Sequence, residues 1–174
     1  MIRLAAEPFD PYAAIQAFAE SCAGAGAVAS FIGLVRLTSV PPLEKGGRGG
    51  DQPQPPAPAE PPERDRVLAI RLEHHPVLTV EMIAAAAGVA VRRWSLIDAL
   101  IIHRVGEIAV GAPVVLVAMA AVHRREAFAA CDHLMDYLKT EAPFWKKEIT
   151  TAGERWIEPT ERDYMDAARW RAAE

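Results

Sequence analysis

The chain has 174 residues, a formal net charge of −4 at neutral pH, 51% hydrophobic residues and 24% charged residues. This length suits one domain with a substantial core, and the composition is ordinary for a globular protein. A negative net charge argues against a broad nucleic-acid-binding surface, so any basic site must be local.

The apolar patterning argues against a membrane protein or a secreted one. No apolar run reaches the roughly 20 residues that a spanning helix needs. Glu7 and Asp10 interrupt the region where a signal peptide would be apolar. Cys22 and Cys131 lie far apart without metal-ligand spacing, which favours buried thiols in a reducing compartment. We therefore expect a cytoplasmic protein.

The first segment predicts a strand, a helix and a second strand. Residues 2–6 form the first strand, and Asp10 caps a helix that has Pro11 at its first position and runs to about Cys22. The small and β-prone residues of 27–36 predict a strand that ends at Arg36.

Residues 37–66 have a different composition. They hold 8 of the 14 prolines and 4 of the 11 glycines, with almost no large apolar residue. Such a segment cannot bury enough surface to offset its ordering entropy, so a flexible insertion between two strands is expected. It could bind a partner through its Pro-rich stretch or serve as a linker of no fixed role.

The remaining elements mix helices with adjacent pairs of strands, an order typical of an α+β fold. Thr79 is the predicted cap of a helix that runs to about Trp94. Apolar spacing predicts a helix after Arg124 that ends near Lys139, and the tail from Glu161 is either helical or frayed. Strands are predicted at 67–75, 98–105, 114–122 and, as a hairpin, 145–149 with 155–158.

Residues 122–148 concentrate positive charge around the predicted third helix. His123 and Arg124 begin it, Lys139 ends it, and Lys146 and Lys147 follow the break at Pro143. Three of only four lysines thus fall within nine residues, in a chain with 15 arginines. A lysine amine can lose its proton when desolvated or placed beside other cations, which guanidinium does not do. The alternative is a solvated helix end with basic residues near the C-terminal dipole.

Other constellations are absent from the sequence or favour packing. His74 and His75 are adjacent on a predicted strand and point to opposite faces, and the histidines show no metal-ligand spacing, so no metal site is predicted. Phosphate-loop, dinucleotide-binding and nucleophile-elbow motifs are also missing. Phe144 and Trp145 could stack on a flat heterocycle or serve as core or interface residues. A cationic site of His123, Arg124, Lys139 and Lys146, joined by Arg36, suits a phosphorylated or otherwise anionic small molecule.

The motifs in and around this stretch resemble the catalytic (large) subunit of molybdopterin synthase, the MoaE family. The resemblance rests on six motifs, which occur along the chain in the same order as in that family: FIGLVR, LEHHP, IIHRVGEIAVGAPVV, HRREAF, MDYLKTEAPFWKKE and GERWIE. It covers nearly the whole chain apart from 37–66 and the extreme tail.

The resemblance implies an α+β fold of the α/β-hammerhead type with an accompanying antiparallel β-rich subdomain. Residues 1–160 would be one domain interrupted by the insertion, and 161–174 a C-terminal tail. It also implies a homodimer within a heterotetramer, whose small ubiquitin-like subunit carries a C-terminal thiocarboxylate. The reaction would be sulfur transfer to cyclic pyranopterin monophosphate (precursor Z), forming the dithiolene of molybdopterin, with no cofactor or metal on the large subunit.

Site roles also follow from the resemblance. Lys139 would be the acid/base or transient covalent residue, and Lys146 would position substrate and offset developing charge. Arg36, His123 and Arg124 would hold the phosphate. The chain departs from the family pattern in the insertion after Arg36 and in a histidine, His75, where tyrosine is common. Met135 and Phe31 match family positions near the pocket, but their spacing favours packing.

Two other classes of protein stay open at this point. One is a non-catalytic binding module that has kept the fold and the partner surface. The other is a lysine-dependent phosphate-ester or Schiff-base enzyme that acts without a protein partner.

Overall fold

The computed structural model describes residues 1–36 and 66–170 of the chain. That part contains four helices: α1 (Pro11–Ser21), α2 (Leu78–Arg93), α3 (Arg124–Thr140) and α4 (Glu161–Ala168). It also contains eight strands: β1 (Ile2–Ala5), β2 (Ala27–Leu34), β3 (Val67–His74), β4 (Asp98–Arg104), β5 (Gly106–Ala109), β6 (Pro113–Ala121), β7 (Phe144–Thr150) and β8 (Gly153–Ile157). The strands form two four-stranded sheets, so the predicted α+β class is confirmed.

Most local predictions are confirmed by the structure. Asp10 caps α1 by accepting hydrogen bonds from two backbone N–H groups, and Pro11 occupies the first turn. The hairpin is β7 paired with β8, and the segment from Glu161 is helical. Strand β5 was not predicted, because Ile108 is its only buried side chain. The insertion predicted at 37–66 lies outside the described residues except for its last position.

The first sheet, with strand order β1-β4-β6-β2, is covered by helices on both faces. Side chains of α2 and α3 pack on one face, around Ile101, Val117 and Met119. Side chains of α1 pack on the other face, around Leu100 and Leu116. Strand β6 is therefore buried along almost its whole length, which explains its continuous apolar sequence.

The second sheet, with order β5-β3-β7-β8, joins the first through the aromatic ring of Phe144 at the start of β7. That ring stacks on His103 at the end of β4, with centroids 4.1 Å apart and planes 18° apart. Burial lowers the pKa of His103 to about 4, so the ring is neutral at physiological pH and fits this apolar joint. The joint sets the position of β7, the strand that carries Lys146.

The start of α2 differs from the prediction. Thr79 is not the cap: the helix begins at Leu78, and the Nδ1 atom of His75 accepts the hydrogen bond from the Leu78 N–H at 3.1 Å. The fully buried Thr79 hydroxyl instead donates to the Pro143 carbonyl and accepts from the His75 N–H, both at 3.1 Å. The buried Thr79 hydroxyl needs partners inside the protein, and these two bonds satisfy it in place of a local capping role.

Thr79 consequently ties the start of α2 to the turn between α3 and β7. We expect Thr79→Val to lower the free energy of unfolding by about 1–3 kcal/mol, because the Pro143 carbonyl loses its donor. Chemical denaturation measures this. Thr140→Val is the matched control, since the Thr140 hydroxyl bonds only a carbonyl of its own helix. Equal losses in the two variants would contradict a tertiary role for Thr79.

Candidate active site

Lys139 and Lys146 lie on opposite sides of the turn that ends α3. Lys139 belongs to the last turn of the helix and is exposed. The chain breaks at Pro143 and enters β7, where Lys146 is the third residue and is half-buried. Residues alternate between the two faces of a strand, so Lys146 shares the face of Phe144, which packs into the core. The two amines thus approach one region from two different elements.

Lys146 sits among apolar neighbours and other cations. Its register partners are Leu72 on β3 and Ile157 on β8. Its pKa lies below that of a free lysine, first because burial removes water from the ammonium, and further because Arg36 and Lys139 repel its charge. Glu148 and Asp163 partly oppose this effect. Such an amine exchanges protons more readily near neutral pH than an exposed lysine does.

Arg36 is held near Lys146 although the insertion begins at the next residue. The preceding residue, Val35, is buried, and its backbone N–H donates to the Ala112 carbonyl at 3.1 Å. The Val35 carbonyl in turn accepts from the Gly111 N–H at 2.8 Å. These bonds fix the backbone after β2, so Arg36, Lys139 and Lys146 are brought together by three separate elements.

His123 and Arg124 do not join this group within one chain. They lie at the start of α3, with His123 at the N-cap position and both side chains exposed. Helix α3 has 17 residues, and at 1.5 Å per residue it is about 25 Å long. Lys139 occupies the opposite end. A single small anion therefore cannot contact Arg124 and Lys139 of the same chain.

Lys147 is separated from the site by strand alternation. It faces away from Lys146, where its amine lies 3.4 Å from Glu73 and 3.7 Å from Glu154. The amine also sits 4.2 Å from the centre of the Trp156 ring. Proximity in the sequence grouped Lys147 with the other two lysines, whereas the pleat of the strand places it on the outer face.

Two acidic residues beside the cations were missed by the sequence reasoning. Asp163 on α4 pairs with Lys139 at 3.2 Å. Glu148, which is buried, accepts from both Nε and Nη2 of Arg155 at 2.8 Å. Asp163 carries a local signal, because Thr160-x-x-Asp163 fits the capping-box pattern at a helix start. The only sequence signal for Glu148 is its position two residues after Lys146, which puts both side chains on the same face of β7.

The predictions for five other single residues have different outcomes. Met135 is buried in the core beneath α3, which confirms its packing role. Phe31 is 42% exposed on β2, an edge strand, so its packing role stays a prediction. His75 caps α2. Phe144 is a core residue, while the side chain of Trp145 is 53% exposed on the outer face.

Residues 1–36 and 66–170 contain no group of three or more His, Cys, Asp or Glu side chains that could hold a metal ion. Both cysteines are buried and free, as predicted. Within the same ranges, none of the helices is long and apolar enough to cross a membrane.

The effect of Arg36 on the pKa of Lys146 can be tested by mutation. Arg36→Gln removes a positive charge that lowers the pKa of Lys146, so that pKa should rise toward its usual value, as measured by NMR titration of the lysine Cε and Nζ signals. Arg3→Gln, at the exposed position of β1, is the control.

The sign of the pH effect on stability follows from the same shift. Between the lowered pKa of folded Lys146 and its unfolded value, the unfolded chain binds more protons. Its contribution to the free energy of unfolding therefore increases with pH across that window, and increases less in Arg36→Gln. An unchanged pKa of Lys146 in the variant would show that Arg36 does not act on it.

Comparison with known proteins shows relatives that match along nearly the whole chain. The molybdopterin synthase catalytic subunit of Caulobacter vibrioides is 45% identical over 170 residues, which cover 98% of this chain and 97% of the relative. That of Cereibacter sphaeroides is 44% identical, covering 95% and 96%. The family model described as MoaE protein matches residues 59–141.

Solved structures agree with this assignment. The molybdopterin biosynthesis MoaE protein from Burkholderia ambifaria MC40-6 superposes with a TM-score of 0.71 at 38% identity, covering 98% of this chain and 97% of that one. The complex of subunits 1 and 2 of molybdopterin-converting factor from Helicobacter pylori 26695 has a TM-score of 0.65 at 15% identity, which shows a shared fold. With relatives this similar over their full length, the chain belongs to the MoaE family of molybdopterin synthase catalytic subunits, enzymes of molybdenum cofactor biosynthesis.

Proposed function

We propose that this chain transfers sulfur from the C-terminal thiocarboxylate of a small ubiquitin-like subunit to cyclic pyranopterin monophosphate. The product would be the dithiolene of molybdopterin. The observation that carries the proposal is the convergence of Arg36, Lys139 and Lys146 from three elements in a member of this family. A heterotetramer with two small subunits is part of the proposal, and the Helicobacter pylori complex of subunits 1 and 2 supports the pairing of two kinds of subunit.

The three cations have different surroundings and therefore suit different tasks. Lys139 is exposed at a helix end, where the thiocarboxylate of a docked partner could reach it, and we assign it the acid/base or transient covalent role. Lys146 is half-buried with a lowered pKa, which suits positioning of the substrate and compensation of developing charge. Arg36 suits binding of the phosphate group, because guanidinium offers paired donors to phosphate oxygens.

His123 and Arg124 complete the proposed phosphate site only if a second copy of the chain contributes them. Within one chain they lie a helix length away from Lys139. Exposed apolar side chains lie on neighbouring elements: Val122 and Phe128 near the start of α3, and Phe31 on β2, the strand that contacts α3. An apolar patch on an edge strand is typical of a surface that another protein covers. We infer a homodimer in which each site uses cations from both copies.

Family membership supports three further proposals. The α/β-hammerhead description fits the helix-covered first sheet with its attached second sheet. Residues 1–160 would act as one domain, with 161–174 as a C-terminal segment. The free buried thiols fit a cytoplasmic location.

Reconstitution tests the function. The purified chain, a thiocarboxylated small subunit and precursor Z should form molybdopterin, which is followed by the fluorescence of its oxidised derivative. Lys139→Ala should lower the rate by roughly a thousandfold or more, because a group acting directly in the chemistry is lost. Lys147→Ala is the matched control and should keep near-normal activity, since Lys147 lies on the outer face.

Each rival class has its own outcome in this assay. A complex that forms but yields no product would favour the binding module. Turnover without the small subunit would favour the enzyme that acts alone. Equal rates for Lys139→Ala and the unchanged chain would remove the role assigned to Lys139.

Complementation tests the two-copy site. Heterodimers that combine one Lys139→Ala chain with one Arg124→Ala chain, isolated with two affinity tags, contain one intact site if cations come from both copies. We expect about half the normal activity in these heterodimers and little in either parent homodimer. Inactive heterodimers, with the parents also inactive, would place all five cations of each site in one chain.

A further inference from the structure

Asp163 faces the proposed catalytic lysine directly. Its Oδ1 atom lies 3.2 Å from Nζ of Lys139. The lysine side chain is 53% exposed and the aspartate side chain 22% exposed, so the carboxylate approaches the amine from the protein side. The opposite side of the amine is left to solvent.

The other oxygen of Asp163 is held by the capping box of α4. Oδ2 accepts from the Thr160 N–H at 2.9 Å and from the Thr160 hydroxyl at 2.7 Å, while the Asp163 N–H donates to that hydroxyl at 3.3 Å. Burial alone would raise the pKa of Asp163, but the bonds from Thr160 and the pair with Lys139 hold it below its usual value. The group is therefore an oriented carboxylate at physiological pH.

The far end of α4 is fixed to α3, which holds Asp163 in place. Nη2 of Arg169 lies 2.7 Å from Asp136 and 2.9 Å from Asp132. Trp170 donates its indole N–H to the same Oδ2 of Asp136 at 2.7 Å. Helix α4 thus runs back along α3, with one charged contact at each end.

The pairing divides the cations into two kinds. Among residues 1–36 and 66–170, Lys139 forms an ion pair with a carboxylate, whereas Arg36 and Lys146 form none. A carboxylate inside a phosphate-binding group would repel the phosphate and weaken binding. Glu148 and Asp163 also act on the charge of Lys146 without pairing with it, so the direct contact is what distinguishes Lys139 and favours a task other than anion binding for it.

We propose that Asp163 is a positioning residue that aims the Lys139 amine into the site and compensates its charge, leaving Arg36 and Lys146 to bind the anionic substrate. This inference rests on the proposed function, because it assigns the orientation of Lys139 a part in sulfur transfer. On this proposal α4 is part of the working enzyme, because Thr160 orients the carboxylate and the carboxylate orients the amine.

Competitive labelling of the full chain tests the contact without any partner. A trace of amine-reactive anhydride is added, and peptide mass spectrometry gives the reactivity of Lys139 relative to Lys147 in the same sample. Asp163→Asn should raise this ratio by about three- to tenfold, because the amine loses its anionic partner. Asp163→Glu, which keeps the charge, should restore most of the original ratio.

Two further variants separate positioning from helix stability. Asp166→Asn is the matched control on α4 and should leave the ratio unchanged, since among the described residues Asp166 pairs only with Arg162 of its own helix, 3.7 Å away. Thr160→Ala removes the cap but keeps the carboxylate, so its effect should be smaller than that of Asp163→Asn. An equal effect of Thr160→Ala, or an unchanged ratio in Asp163→Asn, would overturn the proposal.

Kinetics give the second readout. In the reconstituted reaction, Asp163→Asn should lower kcat roughly tenfold while KM changes by less than about threefold, because the anion-binding cations remain. A raised KM with unchanged kcat would assign Asp163 to substrate binding and overturn the positioning role. If the unchanged chain makes no product, the proposed function fails, while the labelling ratio still decides whether Asp163 controls Lys139.

Discussion

Burial of the first sheet on both faces is the constraint on which the rest of the structure depends. Strands β4 and β6 lie in its centre, with α1 on one face and α2 and α3 on the other. Because α3 must bury Ala127, Leu134 and Leu138 against that sheet, its axis and rotation are determined by the core. Its two ends then fall at opposite edges of the molecule. His123 and Arg124 are separated from Lys139 by core packing, and a site that uses all of them requires two chains.

A second constraint is electrostatic. Placing Arg36, Lys139 and Lys146 in one region costs free energy, since like charges repel and Lys146 is partly desolvated. Two acidic residues at different distances from the cations offset this repulsion. Asp163 pairs directly with Lys139, and Glu148, already bound to Arg155, acts on Lys146 along the strand. Compensation is incomplete at Lys146, which leaves both an amine with a lowered pKa and a field that favours an anionic ligand.

The joint between the two sheets connects these constraints. Thr79, His103 and Phe144 hold the turn where α3 passes into β7, through one hydrogen bond to the Pro143 carbonyl and one ring stack. The same turn carries Lys139 on one side and Lys146 on the other. Stability of the joint and geometry of the two lysines are therefore linked, although none of the three joint residues is charged at physiological pH.

The sequence by itself determined most of the local elements and the identity of the family. The spacing of apolar residues, helix caps and turn residues predicted α1, α3 and the β7–β8 hairpin, because those signals depend only on neighbours in the chain. Specific motifs placed Lys139, Lys146 and Arg36 in a proposed site. Tertiary structure alone decided that Thr79 bonds Pro143 instead of capping α2, that Lys147 faces outward, that Asp163 pairs with Lys139, and that Arg124 lies a helix length away. Each of these depends on which distant groups a side chain meets once the sheets are packed, and no local pattern encodes that.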